Sequence, residues 1–367
     1  MSRITILGAG FGALTAARQL RQRDPGAEIT LVAPEPTFVF LPSLIWIPSR
    51  MRTGEDLRIS LQGFLDRHRL HYHQGRVTGL RDGGRTVVTD TGELTNDGLV
   101  IATGGHFLDK PAGTENVVTI CKGIPSAEQI RDRLEELDGG TLAFGFATNP
   151  DEPAKVRGGP MFELLFGTDT LLRRQGRRDR FRLAFFTPAP EPGKRLGDKA
   201  VAGILREMER RGIETHLGNK IKEFQPGRVA TEASEIESDL TMFMPGMSGP
   251  EWAGDSGLTL SEGGFFKADE LCRVEGAERV YVVGDAGSHP GPGWMAPQAH
   301  QADLHAEAAA ENLVAELRGD APNQPFKPEL VCIVDTLDKG ILVLRTHKRN
   351  IVLPSRLLHW EIGRAHV

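Results

Sequence analysis

The sequence predicts an α/β fold with two Rossmann-like dinucleotide-binding domains, the second inserted in the first, plus a C-terminal segment. Three observations predict it. A β-branched run over residues 3–8 ends in glycine and feeds directly into a helical stretch. Strand, helix and strand alternate again beyond Pro111, and the first unit then resumes with a short apolar strand over 279–284. At 367 residues the chain also exceeds the roughly 250–300 at which a single hydrophobic core stops growing.

The elements follow in order. After the strand at 3–8 comes a helix from Phe11 to Arg23 and a strand over 28–32, one βαβ unit. Polar, glycine-rich residues 75–94 alternate as a meander of hairpin strands does, and a buried strand over 98–102 ends at Thr103, Gly104 and Gly105. The second unit reads as a helix at 126–137, a strand at 141–146, a proline-containing loop, a helix at 161–174 and a strand at 182–186. A helix at 199–211 and a strand at 214–217 complete it. Behind the strand at 279–284 a helix is expected from Pro297 to about Leu317. The domains are therefore 1–112 with 245–325, 113–244 as the insert, and a C-terminal segment over 326–360.

Composition excludes several classes. Hydrophobic residues at 39% and charged residues at 25% describe a soluble globular chain. A net charge of −5 argues against a nucleic-acid binder. Three widely spaced cysteines offer neither a disulfide framework nor a Cys-x-x-Cys zinc site, and no metal is expected at His68, His71 and His73, placed in strand-like alternation. The six arginines from Arg173 to Arg182 are expected to form a solvated helix end and loop. With no run of 18 apolar residues and no leader ahead of Ile4, the expected location is cytoplasmic.

The chemistry begins at Gly8-Ala9-Gly10-Phe11-Gly12-Ala13, a G-x-G-x-x-A turn between strand and helix. Gly8 permits the tight turn, Gly10 lets backbone approach a pyrophosphate, and the helix N-terminus presents free N–H groups to it. The acid usual at the end of the second strand is missing: Ala33 and Pro34 follow Val32, with Glu35 beyond, so either Glu35 reaches the ribose or that bond comes from elsewhere. Thr103-Gly104 closes the buried strand, and Gly284-Asp285 closes another just ahead of a helix, where the carboxylate can accept from a ribityl hydroxyl. Together these point to FAD.

Gly8-x-Gly10, Ala102-Thr103-Gly104 and Val283-Gly284-Asp285 resemble, in order, the two-dinucleotide-binding-domain flavoproteins. Phe38 to Ser43, with Pro42 within it, Ala33-Pro34-Glu35, and Val331 to Asp335 narrow the resemblance to the sulfide:quinone oxidoreductase and flavocytochrome c sulfide dehydrogenase group. The resemblance implies that Val77 offers backbone to the adenine, that Thr103 and Asp285 hold the ribityl side, and that Pro297 and Gln298 lie near the flavin, Gln298 where the family commonly has lysine. It implies electron transfer from sulfide or a related donor through FAD to a quinone.

Cysteine usage departs from that family. Cys332 matches one member of its redox pair, but Val156 and Arg157 stand where the other belongs; Cys121 matches an accessory cysteine, and Cys272 reads as a small core residue. The turn after the strand at 141–146 carries one glycine, prolines and two acids, poorly suited to cradling the pyrophosphate of NADH. Two other readings stay open, a flavin dehydrogenase with another donor such as NADH and a non-catalytic flavoprotein electron carrier. From Lys339 to Arg356 five cations, no acid and several apolar clusters suggest a peripheral contact with the cytoplasmic face of the inner membrane, and a homo-oligomer is left open. Residues 361–367 read as a translated sequencing adapter, so the natural C-terminus is expected to differ from the one printed.

Overall fold

The computed structural model describes residues 1–355 and 357, and of Cys121 the backbone only. The expectations for the 361–367 tail, for Arg356 and for the Cys121 side chain lie outside the described residues.

Two parallel sheets carry the architecture. In the first, the strands run Val280–Val282, Gly98–Ile101, Arg3–Leu7, Glu28–Ala33, His71–Gln74 across the sheet. Its register sets Ile4 against both Ile29 and Gly98. Every residue of Gly98–Ile101 is buried, as a central parallel strand covered on both faces requires. Helices Phe11–Arg23 and Ala299–Arg318 pack on one face through Ala13, Ala16, Ala17 and Ala306, Ala309, Ala310, small residues that let the helices approach closely. The second sheet runs Ile213–Leu217, Phe181–Thr187, Gly140–Phe146, Leu240–Met244. Helices Ile124–Glu136, Gly159–Arg174 and Asp198–Arg210 bury their apolar residues in the cluster that contains Leu142, Phe144 and Phe185.

The meander expected over 75–94 is the antiparallel sheet of Val77–Arg81, Thr86–Thr89 and Gly92–Thr95. A second meander, Ile221–Gln225, Arg228–Thr231 and Glu235–Glu237, has no counterpart in the sequence reading. The C-terminal segment forms an antiparallel sheet of Leu330–Asp335, Gly340–Arg345 and Asn350–Ser355. No helix among the described residues is long and apolar enough to cross a membrane.

Three expectations need correction. His68 ends the helix Gln62–His68, whereas His71 and His73 belong to a strand; the helix forms because Leu61 and Leu65 are drawn into the core of the first sheet. The run from Arg173 to Arg182 is a solvated end only in part: Arg173, Arg174, Arg180 and Arg182 are exposed, but Arg177 and Arg178 are half-buried. Asp169 is fully buried and draws Arg173 (2.9 Å), Arg178 (2.5 Å) and, from just past the end of helix Asp198–Arg210, Arg211 (2.9 Å) onto its two oxygens. Burial alone would raise the carboxyl's pKa, but the three guanidiniums hold it below its ordinary value. The basic C-terminal run is likewise partly internal. Lys339 pairs with Glu207 at 3.1 Å, and Arg345 donates to the Arg195 carbonyl and lies over the Trp294 ring. Lys348 and Arg349 remain exposed beside Ile351 and Leu353.

Replacing Asp169 by Ala leaves Arg211, only 5% exposed, without one of its carboxylates. A loss of about 3–5 kcal/mol is expected, the usual cost of stranding a buried charge, and a shift of the denaturant midpoint measures it.

Candidate active site

The strand ends of the first sheet meet at one place. Gly8 follows the first strand at φ +111°, and a Cβ there would stand 2.4 Å from the Ala102 carbonyl oxygen. Only glycine fits that approach. Gly12, one residue into the helix, has the same function toward the third contributor: its Cβ would meet Val283 Cγ2 at 2.9 Å. Gly10 differs, since a Cβ there meets nothing within 4 Å. It faces open space at the N-terminus of Phe11–Arg23, a helix with no acid in its first turn and Arg21 and Arg23 in its last. The charge pattern favours an anion at that end.

That open space belongs to a cavity of about 1520 Å³. The glycine turn with Phe11, then Ala33, Glu35, Pro42 and Val77, line one stretch of it. Thr103, Gly104, Gly284, Asp285, Pro297 and Gln298 line the next, and Cys332 a third. The structure thus gathers every expected cofactor-binding residue, together with Cys332, around one space. Cys121 belongs to the turn Ile120–Lys122, of which Ile120 lines the cavity.

The residues present fit FAD. Thr103 Oγ1 and Gln298 Oε1 are buried polar atoms with no protein partner, both on this wall, as groups waiting for hydroxyl or ring atoms of a cofactor are. Phe11, Phe38 and Phe40 form an edge-to-face cluster at 5.0 and 5.6 Å beside the glycine turn. The volume exceeds the ~300–1,000 Å³ of an ordinary ligand pocket, leaving room beside a cofactor for reactants.

Three features escaped the sequence reading. Glu163, on helix Gly159–Arg174, lines the cavity, and burial, opposed by the Asp335 N–H that donates to Oε1 at 3.1 Å, pushes its carboxyl up to about 8. Its signal was an acid among Met161, Phe162, Leu164 and Leu165, all buried. Trp46 Nε1 donates to Asp335 Oδ2 at 2.8 Å, fastening strand Leu330–Asp335 to the turn Leu41–Trp46. Arg157, which stands where the resembled family has its second cysteine, pairs with Asp285 Oδ2 at 3.1 Å. Cys332 itself is a poor thiolate: burial, then Glu163, push its thiol up to about 12. Cys272 is a fully buried core residue.

Residues 2–158 and 182–306 match the pyridine nucleotide-disulphide oxidoreductase family. The chain belongs to that family. It is an FAD-dependent oxidoreductase with the two-Rossmann-domain flavoprotein fold. The sulfide-quinone reductase of Aquifex aeolicus is 24% identical over 353 residues, spanning 90% of this chain and 80% of that protein. A type II NADH:quinone oxidoreductase of Mycobacterium tuberculosis is 26% identical over 370 residues, 89% of this chain and 75% of its own. In structure, the sulfide:quinone oxidoreductase from Aquifex aeolicus superposes with a TM-score of 0.89 at 22% identity, over 100% of this chain and 90% of the other.

The two glycines separate cofactor binding from folding in this oxidoreductase. Gly10→Val is expected to fold with a melting curve near that of the wild-type apoprotein and to lose its FAD absorbance, because the side chain occupies the cradle. Gly8→Ala is expected to lower the melting temperature of the apoprotein itself, because the clash is with backbone.

Proposed function

We propose that this oxidoreductase passes electrons from a reduced small-molecule donor, sulfide or a related sulfur compound, to a quinone. The observation that carries the reading is the apolar part of the cavity lining. Leu44 and Ile45 of the turn Leu41–Trp46 and Ile333 of the strand Leu330–Asp335 line the same cavity as Thr103, Asp285, Cys332 and Glu163. An apolar lining that includes a carboxyl held protonated at neutral pH, Glu163, suits a lipid-soluble acceptor that needs protons with its electrons. The relatives at 24% and 26% identity are both named for a quinone, which supports the acceptor; the first is named for sulfide and the second for NADH, so only the first supports the donor.

FAD bound in the cavity supplies two-electron chemistry. The chain's own residues do the rest. Gly10 and the helix N-terminus would bind the pyrophosphate, with Gly8 letting the turn approach, while Thr103, Asp285 and Gln298 would orient the ribityl and ring side. Phe107, Ile120 and Phe162 add apolar surface to the lining, which disfavours water there. Glu163, neutral at pH 7, holds a proton on its carboxyl for the acceptor. Asp335 and Trp46 fix the strand that carries Cys332. Exposed Ile351, Leu353 and Leu357, with Lys348 and Arg349, support a peripheral contact with the cytoplasmic face of the inner membrane.

Two measurements test this. Glu163→Gln is expected to slow quinone reduction on the order of 100-fold, the usual contribution of a positioned acid. The wild-type rate should be level below pH 7 and fall as pH rises through about 8, where the proton leaves Glu163, and the Gln variant should lack that limb. With sulfide under anaerobic conditions, FAD bleaching is expected to be slow, to rise with added sulfite or glutathione as sulfur acceptor, and to be lost in Cys332→Ser. NADH is expected to leave the flavin oxidised, because the loop after Gly140–Phe146 carries Pro150, Asp151, Glu152 and Pro153 instead of a glycine cradle. Rapid stoichiometric bleaching by NADH would reassign the donor.

A further inference from the structure

The cavity contains an ion pair that joins the two sheets. Arg157 belongs to the loop behind strand Gly140–Phe146 of the second sheet; Asp285 belongs to the turn Gly284–Ala286 behind Val280–Val282 of the first. The guanidinium donates to Asp285 Oδ2 at 3.1 Å, with side chains 24% and 16% exposed, and both line the cavity. Lys155, two residues earlier and 8% exposed, lies over the Phe265 ring at 5.2 Å and is within electrostatic reach of Asp285 and Glu152. Asp285 stands on the wall that carries the unpartnered Thr103 Oγ1 and Gln298 Oε1.

A carboxylate at that place opposes any neighbour that gains negative charge, and the opposition is strong where water is scarce. A guanidinium against the carboxylate cancels it and fixes its direction. Arginine stays charged at every working pH, so the cancellation is permanent. A thiol at residue 157 would leave Asp285 without this partner.

We propose that Arg157 is the positioning residue that sets the reduction potential of the bound FAD. By clamping Asp285 and cancelling its charge, it lets the cofactor take up electrons more readily than it would beside Asp285 alone. The proposal rests on FAD occupying this cavity, and it concerns neither the donor nor the acceptor.

The test uses the purified holoprotein. FAD content is read by absorbance after denaturation, and the midpoint potential by anaerobic equilibration with reference dyes. Arg157→Ala is expected to lower the potential with FAD still bound, Arg157→Lys to restore most of it, and Arg157→Ala combined with Asp285→Asn to return it toward wild type. Asp285→Asn alone, which leaves Arg157 unopposed, is expected to raise it. Should Arg157→Ala shed its cofactor, the Lys and Asn variants carry the comparison. A potential unmoved in Asp285→Asn, or unmoved in Arg157→Ala with FAD bound, overturns the proposal, as does a fall that the double variant leaves uncorrected. Wild-type protein without FAD would instead overturn the cofactor assignment, and the absorbance tells the two failures apart.

Discussion

The carbonyl oxygen of Ala102 lies 2.4 Å from where a Cβ of residue 8 would stand, and the site is built outward from that approach. Arg3–Leu7 and Gly98–Ile101 are neighbours in the sheet, and both chains leave it at the same edge. With no side chain at Gly8 the two turns nest, which aims the N-terminus of Phe11–Arg23 across the ends of the strands. Gly12 then allows Val283 to close in, so the Gly284–Asp285 turn arrives at the same rim. Crevices at the carboxyl ends of parallel strands are where such sheets bind ligands, and this contact makes the crevice deep.

Charge inside the cavity is arranged by burial. Loss of water around Glu163 and Cys332 keeps a proton on both. One consequence favours function and the other restrains it: the acid has a proton to give, while the sulfur lacks the thiolate that fast sulfur capture needs. Elsewhere in the same lining an ion pair, Arg157 with Asp285, holds its charges in balance. A site with a proton to give and compensated charge is suited to moving electrons and protons together.

The C-terminal sheet depends on a different interaction. Asp169, Arg211, Glu207 and Lys339 form a chain of buried and half-buried ions that ends in the turn before Gly340–Arg345. Burial would raise Glu207, yet Arg210, Arg211 and Lys339 hold it down to about 2. That anchor, with the Trp46–Asp335 bond, keeps strand Leu330–Asp335 over the cavity while the edge strand Asn350–Ser355 turns Ile351 and Leu353 outward.

The sequence by itself determined the local parts, because each rests on near neighbours: a strand, three glycines and a helix start leave a pattern within a dozen residues. Helix and strand positions through the inserted unit were legible for the same reason, to within one or two residues at most ends. Only the tertiary structure decided what depends on distant partners. Arg157 and Asp285, 128 positions apart in the chain, form a pair that no spacing announces. Glu163 reads as one more acid until the cavity shows that its surroundings are apolar, and Arg178 looks as solvated as its neighbours until Asp169 turns inward. Burial is a property of the whole packed chain, and it is burial that fixes the charge each of these groups carries.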